Sequence, residues 1–255
     1  MKTKSLLLGV IIIVYATATA VAIPTTITVR VKSKDAKFLG SSMGSALITM
    51  RDVDTDELLA KGITTGTTGN TKIIMKTPIT RGMSISDEKS AKFTATINIE
   101  KPTLVEVTAY GPLSQRQSAN KVSATQWVIP GKHITGGDAW MMELPGFVVD
   151  ILSPPTHSIY NNTSKTITVT ANVTMMCGCP LTPEGLWNSN KYEIKLLLKK
   201  DGKPAGQFPL QYSGKPSQFV TPLNIEEAGI YELTVYAYDS ANGNTGLDKA
   251  TIIVQ

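Results

Sequence analysis

The sequence has few residues of the kinds that usually carry catalytic chemistry. Its 255 residues include two cysteines and two histidines, His133 and His157. General acid–base catalysis needs a placed histidine or paired carboxylates. Both histidines occur in segments rich in glycine, proline and polar residues, and no grouping of histidine, aspartate and serine is visible. We therefore expect no catalytic residues and no enzyme activity.

A serine motif at residues 40–44, GSSMG, has the G-x-S-x-G pattern of a hydrolase nucleophile. That nucleophile requires a strand, a strained turn and then a helix. The residues that follow, SALITMRDV, alternate between apolar and polar side chains as a strand does. We therefore interpret GSSMG as a turn.

Long apolar runs are missing apart from the one at the N-terminus. Residues 6–15 are apolar, follow Lys2 and Lys4, and precede an A-x-A site at Ala20 and Ala22. A basic start, a short apolar run and small residues before a cleavage site are typical of a secretory signal peptide. The run is shorter than the roughly 20 residues that span a bilayer. We predict a signal peptide at 1–22 and a mature, secreted, periplasmic or cell-surface chain without a stable membrane span.

The charge distribution also excludes a class of partner. The formal net charge is +5, and no basic run with interleaved aromatic residues occurs. Such runs form the electrostatic footprint of nucleic-acid-binding proteins. We expect no nucleic acid, and we expect protein partners or self-assembly instead.

Alternation with a period of two dominates the rest of the chain. Turn residues interrupt it every eight to twelve residues, and no segment has a sustained helical period. Short strands at such spacing are typical of β-sandwiches. The pattern predicts an all-β protein of two β-sandwich domains, 23–146 and 147–255, joined near Gly146. The predicted strands include TTITVRVKS, FTATINIE, LVEVTAYG, KTITVTANV, YEIKLLLKK and IYELTVYAYD.

The second half carries the pattern EEAGIYELTVYAYD, with Glu227, Gly229 and Tyr231 at fixed spacing. It resembles the corner before strand F of an immunoglobulin-like domain, where the tyrosine hydroxyl bonds to nearby backbone. That family often has a cysteine where this chain has Leu233, so the resemblance implies a core without an inter-sheet disulfide. Trp187, just before the predicted strand C, is expected to cap this core.

The first half carries GSALITMRDVDTDELLAKGITTGTTGNT at residues 44–71. This stretch resembles transthyretin-like and carboxypeptidase-regulatory-like β domains, which have a strand, a polar hairpin, a second strand and a glycine turn in this order. Asp56 stands where those families have a turn glycine. Residues after about Met75 match no pattern.

Both cysteines lie in TMMCGCPLTPEGLW, separated by one glycine. If KTITVTANVTMM is strand B of the immunoglobulin-like domain, Cys177 and Cys179 begin the B–C loop. The B–C and F–G loops share one end of such a sandwich, and strand A begins there. We therefore predict that the cysteines lie close to the junction of the two domains.

Four hypotheses for the cysteines stay open. The first is a Cys177–Cys179 disulfide, because residues two apart can reach the required Cα spacing of roughly 4.4–6.8 Å. The second is a soft-metal site, because thiolates and thioethers suit Cu(I). Met175 lies on the same strand face as Cys177, and Met141, Met142 or His133 from the first domain would complete that site. The others are thiol exchange or an intermolecular disulfide, and a purely structural turn.

The combined features predict an exported, non-catalytic binding or assembly module. Its Cys-Gly-Cys loop would hold a soft metal or a labile disulfide at the domain junction. The alternative is a structural subunit of a cell-envelope or extracellular assembly, in which copies pair through strand edges.

Overall fold

The computed structural model describes residues 21–161 and 165–255. Residues 1–20 of the predicted signal peptide lie outside the described part. The described residues form sixteen strands and one short α-helix, which confirms the all-β prediction. In these two ranges, no helix has the length and apolar composition needed to cross a membrane.

The N-terminal half, residues 23–146, consists of two facing sheets. One sheet has the strand order β4-β1-β7 and the other β3-β2-β5-β6. β1 runs parallel to β7, whereas the remaining pairs are antiparallel. The strands are β1 (Ile23–Ser33), β2 (Leu47–Asp52), β3 (Leu58–Ile63), β4 (Phe93–Ile99), β5 (Thr103–Gly111), β6 (Asn120–Val128) and β7 (Trp140–Leu144), and the helix α1 (Thr71–Lys76) lies between β3 and β4.

Alternating apolar side chains fill the space between these two sheets. β5 shows the pattern clearly, because each second residue is buried and the residues between them are half-buried. Such a period places one side-chain set on the inner face. We call the resulting cluster the N-terminal core; it includes Ile27, Val29, Val31, Ile48, Met50, Val105, Val107, Ala109, Trp140, Met142 and Leu144.

The segment between β3 and β4, most of which matches no sequence pattern, covers the outer face of the β4-β1-β7 sheet. Asn70 caps the N-terminus of α1, and its side chain accepts hydrogen bonds from two N–H groups of the first turn. Ile74 of α1 packs with Phe38 and Met141 in a small separate cluster. The buried guanidinium of Arg30 donates to the Ser90 carbonyl at 2.6 Å and ties the segment to β1.

The C-terminal half also consists of two sheets. Their strand orders are β13-β14-β10-β8 and β12-β11-β15-β16-β9. The strands are β8 (Phe147–Ser153), β9 (Ser158–Tyr160), β10 (Lys165–Met175), β11 (Glu193–Lys200), β12 (Lys203–Pro209), β13 (Gln211–Tyr212), β14 (Gln218–Ile225), β15 (Gly229–Tyr238) and β16 (Thr245–Val254). No described strand of one half joins a sheet of the other half.

This strand order matches the immunoglobulin pattern of an A-B-E-D sheet facing a C-F-G sheet. β8, β10, β14 and β13 correspond to A, B, E and D, and β11, β15 and β16 correspond to C, F and G. Tyr231 is buried, and its hydroxyl donates to the Glu227 carbonyl at 2.8 Å. The C-terminal half is therefore an immunoglobulin-like β-sandwich with a tyrosine corner, as its sequence predicts.

The core of this half is apolar, as the replacement of the usual cysteine by Leu233 implies. Leu233 is fully buried, and Trp187 packs in the same cluster. We call this cluster the C-terminal core; it includes Phe147, Val149, Val169, Val173, Met175, Cys177, Cys179, Trp187, Leu196, Leu223, Leu233 and Val235. The transthyretin-like assignment of the other half, and the independent folding of 23–146 and 147–255, stay predictions.

Candidate functional site

The Cys-Gly-Cys segment forms a tight turn at the end of β10. Gly178 N–H donates to the Met175 carbonyl at 2.7 Å, and Met175 N–H donates to the Cys179 carbonyl at 3.0 Å. Gly178 has a φ of 79°, a left-handed conformation that glycine adopts without steric cost. Cys177 and Cys179, with Cα atoms 5.5 Å apart, are joined by a disulfide. Of the four hypotheses for the cysteines, the structure therefore contains the first, an intramolecular disulfide.

The side chains of this turn point into two different cores. Met175, Cys177 and Cys179 lie in the C-terminal core with exposed fractions of 0%, 2% and 5%. Met176 is also fully buried, but it lies in the N-terminal core. Because successive strand residues point to opposite faces, a methionine between two inward-facing residues must leave its own sandwich. Met176 leaves it by entering the neighbouring one.

Two glycines allow close approach of methionines across the junction. A Cβ placed on Gly178 would lie 2.6 Å from the Sδ of Met43, which belongs to a 3₁₀ turn of the N-terminal half (Ser41–Met43). A Cβ on Gly146 would lie 2.7 Å from the Cε of Met176. Neither position has room for a larger residue at the observed spacing. The linker and the cysteine turn are thus both in van der Waals contact with methionine.

Polar contacts also cross between the two halves. Trp187 Nε1 donates to the Asp35 carbonyl at 2.9 Å. The buried side chain of Asn244, in the loop between β15 and β16, accepts from Gly146 N–H at 3.0 Å and donates to the Lys34 carbonyl at 3.2 Å. The B–C and F–G loops therefore both contact the N-terminal half, and the cysteines lie at the junction as their sequence position predicts.

A second set of hydrogen bonds between the two halves lies beside the linker. The 3₁₀ turn Arg116–Ser118 precedes β6 and rests on β8. The buried Ser118 hydroxyl accepts from Val149 N–H at 3.0 Å and lies 3.2 Å from the Val149 carbonyl, to which it donates. Asn120 Nδ2 donates to the Pro145 carbonyl at 2.7 Å. These bonds satisfy backbone groups at the start of β8 and hold it against the N-terminal half.

An acidic cavity opens on one side of the junction. It has a volume of about 680 Å³, and its lining includes Asp35, Tyr192 and Asp239. Partial desolvation of its carboxyl raises the pKa of Asp35, although the residue as a whole is exposed, and the nearby charge of Asp239 raises it further. Burial also raises the pKa of Tyr192 to about 12, with smaller contributions from Asp239 and Asp35. The charge of Asp239 therefore opposes the ionisation of Asp35 across the junction.

The structure does not bring all predicted metal ligands together. His133 is exposed, and its Nδ1 accepts from Thr26 N–H at 3.0 Å. Thr26 precedes the junction end of β1 at Ser33 by seven residues, or about 23 Å at the usual rise per strand residue. Met141 packs in the separate cluster with Phe38, on the opposite face of β7 from the N-terminal core.

Met175 is the predicted partner that shares a core with the cysteines, whereas Met142 lies in the N-terminal core. A disulfide offers no thiolate, which is the form in which cysteine binds metals. In residues 21–161 and 165–255, no group of three or more His, Cys, Asp or Glu side chains is arranged to hold a metal ion. Soft-metal binding by the reduced turn stays a prediction.

Sequence reasoning missed Met43, Met176 and Asn244 as junction residues. Met176 could have been found, because the period of two that places Met175 and Cys177 inward places Met176 outward on a strand end. An outward methionine beside a domain linker indicates a contact with the neighbouring domain. Met43 and Asn244 carry no comparable signal, because both occur in turn-like stretches.

No protein-family model and no curated protein matches the chain. Solved structures with similarity include fibronectin(III)-like modules of Clostridium thermocellum CbhA, at 12% identity and a TM-score of 0.30, over 91% of this chain and 94% of that one. A chimeric titin Z1Z2 matches at 12% identity and a TM-score of 0.26, over 93% and 99%. Four N-terminal Ig domains of Dscam1 match at 10% identity and a TM-score of 0.24, over 93% and 47%. The immunoglobulin-like assignment rests on the strand order and tyrosine corner of this chain.

Proposed function

We propose that this chain is an exported, non-catalytic binding and assembly module whose two β-sandwiches are held in one orientation by the Cys-Gly-Cys turn. The observation that carries the proposal is the crossing of Met176 into the N-terminal core. A flexible pair of domains has an interface that resembles a transient contact. A fully buried side chain that the C-terminal half places in the N-terminal core instead supports a fixed relative orientation.

The loops at the junction help to define where a partner would bind. In antibody variable domains, the B–C and F–G loops form part of the binding surface. Here the B–C loop contacts Met43 and Asp35, and the F–G loop contacts Lys34 and Gly146. Both loops are therefore occupied by contacts within the chain. The proposed binding surfaces are therefore the sheet faces and free strand edges of the two-domain unit.

Two independent features support export. The A-x-A site at Ala20 and Ala22 follows a short apolar run. The Cys177–Cys179 disulfide belongs to the chemistry of oxidising compartments, since cytosolic thiols are kept reduced. Together they favour a secreted, periplasmic or cell-surface location.

A structural subunit of an envelope or extracellular assembly is the second candidate function. It is favoured by one strand, β6, that ends its sheet with five consecutive exposed residues at 123–127. Exposed strand edges offer unpaired N–H and C=O groups to another chain. Both candidates predict self-association or partner binding without turnover of a substrate.

Mass spectrometry of the protein isolated from its native compartment tests the proposal. The expected product begins at Ile23 and is lighter than the fully reduced chain by two hydrogen atoms. Reduction under denaturing conditions should restore that mass and allow both cysteines to be alkylated. A product that begins at Met1 with two free thiols would contradict both export and the Cys177–Cys179 disulfide.

A further inference from the structure

β6 is an edge strand of the four-stranded sheet in the N-terminal half, and β7 of the facing sheet lies beside part of it. Among the described residues, it pairs only with β5. Residues 123–127 are all exposed, so neither face of this stretch is covered. Trp127 is 59% exposed, whereas Trp140 and Trp187 are each 6% exposed. The free hydrogen-bonding edge and the large apolar side chain therefore lie on one strand.

Natural sheets usually protect such edges with prolines, charges or bulges. β12 shows these devices, because it has an equally long exposed stretch but carries Lys203, Pro204 and Pro209 and a register shift against β11. β6, with the sequence NKVSATQWV, contains no proline or glycine and one charge, Lys121. Its pairing with β5 is regular along its whole length. The edge is open to a further strand.

We propose that β6 of one molecule pairs in antiparallel fashion with β6 of a second copy, which joins two four-stranded sheets into one of eight strands. This inference rests on the proposed assembly function and assigns it a surface. The pairing is isologous, because the same strand lies on both sides of a two-fold axis. The axis passes beside Ala124.

The sequence of β6 is complementary to itself in this register. Lys121 and Trp127 are each three residues from Ala124, so Lys121 lies opposite the partner's Trp127. A lysine ammonium beside a tryptophan ring is a favourable cation–π arrangement. Ser123 lies opposite the partner's Thr125, a pair that can share a hydrogen bond. The single charge of the strand meets no like charge.

This symmetry favours a second copy over an unrelated strand. All four side chains, Lys121, Ser123, Thr125 and Trp127, have the same parity and therefore share one face of the strand. Each finds its complement in the reversed copy of the same sequence. An unrelated strand would need this complementarity by coincidence.

Charge substitution at Ala124 tests both the surface and the register. Ala124 is exposed in the single chain, so Ala124→Lys and Ala124→Glu should fold normally. Each variant places like charges opposite each other at the two-fold axis, and we expect self-association to weaken by about tenfold or more. An equimolar mixture of the two variants should regain association, because lysine then faces glutamate. Ala205→Lys on the exposed edge of β12 is the matched control and should associate like the wild type.

Sedimentation equilibrium measures the association, and tryptophan fluorescence reports its site. Trp127 should give a blue-shifted emission on dimerisation of the wild type but not of Ala124→Lys. A wild type that stays monomeric at high concentration would overturn the pairing. A dimer that is unaffected by both Ala124 variants would also overturn it, although association through another surface would keep the proposed assembly function. Failure of the proposed function is detected separately, by the first residue of the exported protein and by the loss of two hydrogen atoms that marks the disulfide.

Discussion

The thioether of Met43 lies over Gly178, so that a Cβ on this glycine would come within 2.6 Å of Sδ. Gly178 also has a φ of 79°, where an alanine costs about 1–2 kcal/mol. Overpacking in a tight contact adds about 1–3 kcal/mol. We therefore expect Gly178→Ala to lower the free energy of unfolding by about 2 kcal/mol or more, measured by urea denaturation.

A matched glycine separates the two contributions. Gly202 has a φ of 78°, and a Cβ there would have no heavy atom within 4 Å. Gly202→Ala should therefore show the backbone cost alone. Adding Met43→Ala to Gly178→Ala should recover the packing part of the loss. Equal losses for Gly178→Ala and Gly202→Ala would mean that the junction contact is not tight in solution.

Met176→Ala should destabilise the N-terminal half although Met176 belongs to the C-terminal half by sequence. Removing a fully buried methionine costs about 2–5 kcal/mol through lost contacts and the cavity. Hydrogen exchange should increase in β1 and β7, which line the N-terminal core. Met175→Ala, at the neighbouring position, is the control and should act on β8 and β10 instead. Identical exchange patterns for the two variants would contradict the division of these side chains between two cores.

Periodicity was sufficient to predict the strand content, and the resemblance of one corner motif implied the immunoglobulin-like half. β10 alternates over eleven residues, and the spacing of Glu227, Gly229 and Tyr231 places the tyrosine corner. These features depend on residues near each other in the chain. Sequence position also placed the cysteine turn at the junction, since the linker and two loops share one end of the sandwich.

The contacts that were missed depend on long-range packing. Arg30 holds the Ser90 segment across 60 residues, and Met43 approaches Gly178 from the other half. No local pattern encodes such pairs. The same limit applies to His133, because its proximity to the linker in sequence predicts proximity to the cysteines, whereas the structure places it beside Thr26. β1 and β7 run parallel, so the loop before β7 lies at the far end of the sandwich.

Tyr231→Phe should lower the free energy of unfolding by about 1 kcal/mol or more. The hydroxyl of this buried tyrosine donates to the Glu227 carbonyl, and its removal leaves an acceptor without a partner. Tyr238→Phe is the control, because Tyr238 is 37% exposed. Chemical denaturation of both variants gives the comparison. A neutral effect at Tyr231 would show that water replaces the corner bond without cost.

Asp35→Asn should stabilise the protein at neutral pH. Partial desolvation raises the pKa of Asp35, Asp239 and Glu143 raise it further, and Lys32 opposes this shift. A raised folded-state pKa means that folding disfavours the ionised carboxylate. The penalty is absent below the unfolded pKa of about 3.9 and grows as the pH rises through the titration range. The substitution removes the charge and keeps a side chain that tolerates the left-handed φ of 55°.

Denaturation midpoints at about pH 3 and about pH 7, on either side of the carboxyl titration range, test this dependence. The two proteins should have similar stability at the acidic end, and the variant should be more stable at the neutral end. Asp56→Asn is the control for backbone preference, because Asp56 has a φ of 59° on an exposed hairpin. A gain at Asp35 that is independent of pH would point to the backbone rather than to the charge.

The disulfide should resist reduction in the folded protein, in contrast to the labile disulfide that the sequence alone predicts. Cys177 and Cys179 are 2% and 5% exposed, and thiol–disulfide exchange requires access of the attacking thiolate to a sulfur atom. A mild thiol reductant should leave the native protein oxidised and should reduce it fully in denaturant, as followed by alkylation and mass. Rapid reduction of the folded protein would indicate that the junction opens readily.

The same reduced and refolded protein decides the metal hypothesis. If two thiolates and Met175 form a soft site, Cu(I) should bind far more tightly than Zn(II), which prefers four nitrogen or sulfur ligands. Cys177→Ser or Cys179→Ser alone should abolish tight binding in competition with a chelator, and Met175→Leu should weaken it. Met141→Leu and His133→Ala should have no effect, because the structure places both side chains away from the turn. Equal Cu(I) affinity of the wild type and the double Cys→Ser variant would eliminate the metal site and leave the turn as a clamp between two cores.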